Sequence, residues 1–323
     1  MFQKIIKRLA LFFHKMKYYG FGIAFFDLLD SQKNKFKISY TTVNEGKHRA
    51  IIDWLYKNFS YLISEYKEKS EIISGLLDTA IPKKIWICWW DGIDAMPPII
   101  KACYNSVLSN KNDFHINVIT KYNYKDYLSL PEHIINKVNN GMITITHFSD
   151  IIRMYLLYKY GGIWLDASVL VTNPIDMNNK CFFTICGDFK GDNVAKNRWA
   201  GNCIGGISNF ILFEFIYNLF SEYWKNFNDL IDYFLIDYSI ALAYSFIPLV
   251  KDTIDNIREE DKFNNAKYMF LQSCLAKELD LVVFNNIIQN TVFHKLSWKE
   301  KFPVMTSDNK LTVYGYILKK YSE

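Results

Sequence analysis

Apolar residues recur at helical spacing through residues 45–79, where Ile51, Leu55, Phe59, Leu62 and Ile63 sit among Lys and Glu, and this spacing predicts helices. The pattern changes at Ile81-Pro82. Ile85-Trp86-Ile87-Cys88-Trp89-Trp90 is a continuous apolar run closed by Asp91-Gly92, which predicts a buried strand entering a loop. Pro97-Pro98 opens a helix over residues 99–108, and residues 115–120 read as a second strand, giving a strand–helix–strand unit of the parallel kind. Ser149 is placed to cap a helix over residues 150–160 that Gly161-Gly162 stops, and Ile163-Trp164-Leu165 then predicts a buried strand ending at Asp166. Further on, residues 210–220 and 230–246 predict helices, residues 293–298 form a short apolar run, and residues 312–318 form a terminal strand or helix. The fold class is therefore α/β, with a main domain over residues 81–323 and a helical extension over residues 1–80. No Pro/Gly/Ser-rich linker, internal repeat or low-complexity tract divides it further.

Composition supports a large core, since half of the 323 residues are hydrophobic and 17% are aromatic. The six cysteines lack CxxC pairs or zinc-like spacing and several lie in apolar runs, so a reduced, cytoplasmic protein is expected. The net charge of +5 is localised. Lys4, Lys7, Arg8, Lys15 and Lys17 all precede the first acid, Asp27, and match the whole excess. They alternate with Phe2, Ile5, Ile6, Leu9, Leu11, Phe12, Phe13, Met16, Tyr18 and Tyr19, the mixture of an interfacial amphipathic helix. No stretch reaches the roughly 18 apolar residues of a spanning segment. Peripheral attachment to an anionic membrane surface is the expectation, with an ordinary helix packed on its own domain as the alternative. Basic residues confined to one end make no stripe for nucleic acid.

The segment richest in chemistry is His147-Phe148-Ser149-Asp150-Ile151-Ile152-Arg153, followed by Gly161-Gly162-Ile163-Trp164-Leu165-Asp166-Ala167-Ser168. Asp150 and Arg153 are three apart, so on a helix they share a face and can fix one another. Such a carboxylate can accept ribose hydroxyls and such a guanidinium can reach phosphate or base oxygens. A helix-start carboxylate with a surface arginine fits the same spacing. Asp166 ends a fully apolar strand, where a carboxylate needs a cation, a hydroxyl or water, or closes the strand as an Asx-turn. A divalent cation carrying a nucleotide diphosphate would satisfy that need, since hard oxygen ligands suit Mg²⁺ or Mn²⁺.

The run Ser149-Asp150, Arg153, Leu156, Gly161-Gly162, Asp166 resembles the signature of bacterial capsular polysaccharide synthesis glycosyltransferases, related to mannosyltransferase-like and toxin-like enzymes with a DXD motif. The opening Ile81-Pro82-Lys83-Lys84-Ile85-Trp86 with Trp90, and Phe293-His294-Lys295-Leu296-Ser297-Trp298 near the end, resemble the same family, over roughly residues 80 to 300. The resemblance implies a glycosyltransferase-A fold, a nucleotide diphosphate sugar donor and a divalent cation, Mn²⁺ or Mg²⁺. It places Trp86 and Trp90 near the base, Asp150 on ribose or sugar hydroxyls, and Arg153, Gly162, Lys295, Ser297 and Trp298 at the donor. Asn202, between Gly201 and Cys203, would approach the donor sugar. The second acid of the DXD motif is Ser168 here, which leaves Asp166 as its acidic member. Ser168 would ligate through its hydroxyl or through a water and His294 would complete the metal site, while Lys295 neutralises diphosphate charge and Trp298 closes over the leaving group. Asp232 and Asp237 fall in an otherwise apolar stretch, and either can orient the acceptor hydroxyl or act as its base, Asp237 being the preferred one. Helix capping or a salt bridge accounts for them equally.

The expected activity is sugar transfer to a lipid-linked oligosaccharide at the inner face of a bacterial cell membrane, with retention of anomeric configuration as the resemblance suggests. A catalytically inactive membrane-peripheral scaffold, favoured by Ser168, and a transferase with a protein acceptor are the alternatives. GxSxG, P-loop and GxGxxG patterns are absent from the chain.

Overall fold

A computed structural model describes residues 2–36, 40–73, 80–186, 193–260, 268–289 and 291–322. The strands are β1 (Lys84–Cys88), β2 (His115–Ile119), β3 (Gly162–Leu165), β4 (Val169–Val171), β5 (Phe182–Thr184), β6 (Cys203–Gly206) and β7 (Phe293–Lys295). The helices are α1 (Phe2–Tyr19), α2 (Phe21–Phe36), α3 (Tyr40–Ile73), α4 (Pro98–Asn110), α5 (Tyr124–Tyr127), α6 (Glu132–Asn139), α7 (Ile145–Tyr160), α8 (Ile211–Asn226), α9 (Leu235–Phe246), α10 (Pro248–Glu260), α11 (Leu281–Ile288) and α12 (Val313–Lys320). Of the helical stretch expected over residues 45–79, residues 74–79 lie outside the described residues, as do the side chains of Phe2, Lys4 and Ile5.

The central sheet has the order β2-β1-β3-β6-β5. β1 is parallel to both β2 and β3, while β6 runs antiparallel to β3 and β5 antiparallel to β6. β1, α4 and β2 form the strand–helix–strand unit that the sequence predicts. Burial on both faces explains why β3 and the middle of β1 are continuously apolar, whereas β2, at the edge, carries His115 and Asn117 and is partly exposed. Trp86, Trp164 and Ile204 pack into one core layer with α7 and α8, and Ile85, Ile87, Ile163 and Leu165 pack into the other. A second, two-stranded sheet pairs β4 with β7, setting Val169 opposite Lys295 and Leu170 opposite His294.

Residues 40–73 share this core. Ile51, Leu55, Phe59, Leu62, Ile63 and Tyr66 of α3 are buried in one cluster with Phe215, Ile216 and Trp224 of α8 and with Ile240 of α9. At about 1.5–3 kcal/mol for each large side chain taken out of water, this one helix contributes on the scale of a whole domain's net stability. Helix α1 is different. Tyr19 is buried at its end, but Ile6, Leu9, Leu11, Phe13, Met16 and Tyr18 are exposed.

Two boundaries differ from the sequence expectation. α7 begins at Ile145, because Thr144 caps it by accepting from the His147 backbone N–H, whereas Ser149 donates back to the Thr146 carbonyl. Asp150 and Arg153 therefore lie inside the helix and not in its first turn. α9 begins at Leu235, because the Asp232 carboxylate accepts from the Phe234 N–H in a turn that precedes it. The terminal segment is helical, with Thr312 as its N-cap.

Candidate functional site

The carboxyl ends of the parallel strands β1 and β3 open into a cleft of about 1040 Å³. Clefts at this edge of an α/β sheet are where ligands bind, and the volume holds a ligand of nucleotide-sugar size. Its floor is an ion-pair chain. Arg153 Nη2 lies 3.0 Å from Asp166 Oδ1 and 3.3 Å from Asp150 Oδ1. Its guanidinium carbon sits 4.9 Å from the centre of the Trp164 ring, and Trp164 Nε1 donates to Asp166 Oδ1 at 2.9 Å. Lys295 Nζ, arriving from β7, donates to Asp166 Oδ2 and to Ser168 Oγ, both at 2.8 Å. Burial pushes the Asp166 carboxyl upward, but the Lys295 and Arg153 charges and the bonds from Lys295 and Trp164 outweigh it and hold the pKa down at about 2.

Behind this floor, Trp224 Nε1 donates to His147 Nε2 at 3.0 Å. An indole N–H can only donate, so His147 carries its proton on Nδ1, which faces Asp150 Oδ2 at 3.4 Å. Asp150 is thus held from both sides, by an imidazole and by a guanidinium. Asn202 is tied in through its backbone carbonyl, which accepts from the Asp166 N–H at 2.9 Å, and through its side-chain oxygen, which accepts from Tyr268.

One wall of the cleft carries Asp237, whose Oδ1 accepts from Trp199 Nε1 at 3.0 Å. Burial is the main influence on this carboxyl; the Trp199 bond offsets it only partly, and the pKa is raised to about 6. Asp232 on the same wall pairs with Lys47 of α3 at 2.6 Å, and Lys47 also reaches Asp27 of α2 at 2.9 Å. Asp30, Asn44, Lys47 and His48 line the cleft, so helices from the first 80 residues form part of the site.

Of the residues expected from sequence, the cleft gathers Trp90, Asp150, Arg153, Asp166, Ser168, Asn202, Asp237, Lys295, Ser297 and Trp298. Three are elsewhere. Trp86 is 2% exposed, donates to the Gly161 carbonyl and packs on Tyr127 and Tyr160, because its position in β1 faces α7 and not the loop. Gly162 begins β3 at the far end from Asp166. A Cβ there would lie 2.5 Å from the Lys84 carbonyl oxygen and its φ is +101°, so its smallness serves the sheet. His294 alternates with Lys295 on β7 and points away from the cleft, with Nε2 at 3.2 Å from both Thr172 Oγ1 and the Thr291 carbonyl.

The donor set for a divalent cation is consequently poor. Asp166 has both oxygens engaged, Ser168 bonds Lys295, and His294 does not reach them. Among the described residues no group of three His, Cys, Asp or Glu side chains is arranged to hold a metal ion. Asp166, Ser168 and His294 are therefore not gathered as one ligand set for the expected Mn²⁺ or Mg²⁺ in this structure.

Sequence reasoning missed Trp164, Trp199, Tyr268 and Lys47 as partners of the carboxylates and Asn202. Trp164 was signalled by its place two residues before Asp166, since alternate residues of a strand share a face; the others come from distant segments.

Fold and cleft together define an α/β protein with a carboxylate-bearing cleft at the edge of its parallel strands. The sequence pattern of the family described as "Capsular polysaccharide synthesis protein" matches residues 31–317, and the chain belongs to that family. It is 29% identical over 123 residues to the O-glycosyltransferase braB of Annulohypoxylon truncatum, a match covering 34% of this chain and 29% of that protein. The chain thus spans under a third of the length of that curated relative. Among solved structures, the PaToxG glycosyltransferase superposes with a TM-score of 0.43 and 12% identity, covering 72% of this chain and 99% of that one.

Proposed function

We propose that the chain is a glycosyltransferase of the glycosyltransferase-A kind, moving a sugar from a nucleotide diphosphate donor to a lipid-linked oligosaccharide. The observation that carries this reading is the convergence of Asp150, Arg153 and Asp166 on the floor of one cleft beyond β1 and β3. Family membership and the glycosyltransferase relative support it.

In this reading Asp150, oriented by His147 and Arg153, accepts hydroxyls of the donor. Arg153, buried and shared by two carboxylates, is a positioning residue. Trp90, partly exposed in the cleft and packed on Tyr124 and Phe148, borders the nucleobase. Lys295 and the Ser297–Trp298 lip face the diphosphate, and Asn202 faces the sugar. Transfer breaks the anomeric carbon–oxygen bond to phosphate and makes one to the acceptor oxygen, while Asp237 orients the acceptor hydroxyl and takes its proton. Retention of configuration follows the family resemblance and is checked by the anomer of the product.

The acceptor and the location are read from α1. Among the described residues no helix is long and apolar enough to cross a membrane. Leu9, Leu11, Phe13 and Met16 are exposed beside Lys7, Arg8 and Lys17, a surface suited to the inner, anionic face of a bacterial membrane. His14 meets Asp229 at 3.0 Å, and Lys15 donates to the Ile231 carbonyl at 3.2 Å, so α1 is fastened to the segment that leads into the cleft wall at Asp232, Tyr233 and Phe234. Lipid-linked substrate would meet the cleft there.

The test is a transfer and hydrolysis assay with UDP-, GDP-, CDP- and dTDP-sugars, comparing the native chain with Asp166→Asn and Asp150→Asn. Turnover lost in both variants at unchanged fold is expected. Full turnover in Asp166→Asn would remove the reading, and no turnover with any donor would favour a scaffold of the same fold.

A further inference from the structure

We propose that Lys295 is itself the cation of the donor site: its ammonium group, aimed by Asp166 and Ser168, neutralises the departing diphosphate, so that donor binding needs no divalent ion. This inference rests on the nucleotide-sugar reading above.

Three observations converge. The first is the state of Asp166. A metal ion bridging protein and diphosphate requires a carboxylate oxygen free to approach it at about 2.0–2.2 Å. Asp166 Oδ1 instead accepts from Arg153 and Trp164, and Oδ2 accepts from Lys295. The second is the position of the ammonium group. Lys295 Nζ stands 2.8 Å from Asp166 and 2.8 Å from Ser168, between the two residues of the expected metal motif. A divalent ion seated there would meet a like charge at bonding distance. The third is hydrogen-bond capacity. An ammonium group has three N–H bonds; two are directed to Asp166 and Ser168, and the third remains for an oxygen in the cleft that Lys295 lines.

Ser168 then has a reason to replace an acid. A second carboxylate would draw in a divalent ion, whereas a hydroxyl accepts one N–H of the ammonium and adds no charge. Two carboxylates, Asp150 and Asp166, already face two cations, Arg153 and Lys295, so these four charges offset one another before the donor arrives. In the transfer step the electron pair of the anomeric bond leaves on the phosphate oxygen, the acceptor oxygen forms the new bond, and its proton goes to Asp237. Lys295 keeps its own protons throughout and stabilises the leaving charge through hydrogen bonding. Asp166 is a positioning residue in this scheme.

Inorganic pyrophosphate is a probe of the diphosphate subsite that does not depend on the nucleobase. Its binding to the full chain is measured by calorimetry in EDTA and in Mn²⁺, alongside UDP, GDP, CDP and dTDP. Equal affinity with and without metal is expected for the native chain. Lys295→Met should weaken binding roughly 10- to 100-fold, the range for losing a charged hydrogen bond, with Lys295→Arg keeping most of it. Affinity that appears only with Mn²⁺, or that survives Lys295→Met unchanged, would overturn the role of Lys295 and leave the nucleotide-sugar reading standing. Failure of pyrophosphate and of all four nucleotides to bind in either condition would overturn both. The comparison of metal conditions uses the native chain, so it decides the question even if Lys295→Met does not fold.

Discussion

Asp237→Asn should make the protein more stable and less active, and the gain should depend on pH in a defined way. The Asp237 carboxyl is raised from 3.8 to about 6, with burial as the leading cause. An acid whose pKa is raised by folding binds more protons folded than unfolded between those two values. Stability therefore falls as pH rises from about 4 to about 6 and stays lowered above that. Just over two pKa units at about 1.36 kcal/mol each amounts to a cost of about 3 kcal/mol at neutral pH. Asparagine is close in shape, keeps an oxygen for the Trp199 N–H and carries no charge to desolvate. Urea unfolding of both proteins between about pH 4 and pH 8 tests this. The two curves should meet near pH 4 and separate to about 3 kcal/mol in favour of the variant by pH 7. Transfer by the native chain should rise through about pH 6, and the variant should be slower by roughly 10²-fold or more at every pH. A stability difference that stays constant across this window would refute the raised pKa and with it the case for Asp237 as the proton acceptor.

Arg153→Met should destabilise the fold by about 3–5 kcal/mol at neutral pH in urea unfolding, because it leaves Asp150 and Asp166 facing one another without their shared cation. Gly162→Ala should cost at least about 2 kcal/mol by the same measurement, through the +101° φ and the close Lys84 carbonyl, while pyrophosphate affinity of the folded fraction stays unchanged. Replacing Leu9 and Phe13, which are 47% and 57% exposed, by Glu should abolish co-sedimentation with phosphatidylglycerol vesicles and leave the melting temperature unaltered. Phosphatidylcholine vesicles should bind the native chain weakly, since each basic residue near an anionic surface adds about 1 kcal/mol.

The strands and helices that place the cleft were legible because each has a strong local cause. Ile85–Ile87 of β1 and the whole of β3 are buried and apolar since both of their faces are covered, and β3 is followed directly by Asp166. The family resemblance placed Trp86 beside the ligand, and the continuous apolar run around it, which does not say which way each side chain turns, gave no signal that it lies in the core. On β7, the strict alternation of the strand separates His294 from Lys295, although both have side chains fit for a donor site. What holds the carboxylates was hidden for another reason. Trp224 is 77 positions from His147, Lys295 is 129 from Asp166, and Trp199 is 38 from Asp237, and such pairings come from packing and not from local pattern. The start of α7 was missed by one helical turn or more because Thr144 and Ser149 are equally good capping residues in sequence, and only the Thr144 side chain meets an unpaired N–H.

The way α3 is buried has a consequence for how this protein can be taken apart. Tyr66 stacks edge-on against Phe215, and Trp54 meets Tyr223 and Phe227, so the first 80 residues supply one side of a hydrophobic seam whose other side is α8. A chain begun at residue 81 would not be a smaller intact domain. It would be a broken one, with a greasy stripe open to water and a gap where Lys47 had closed the rim.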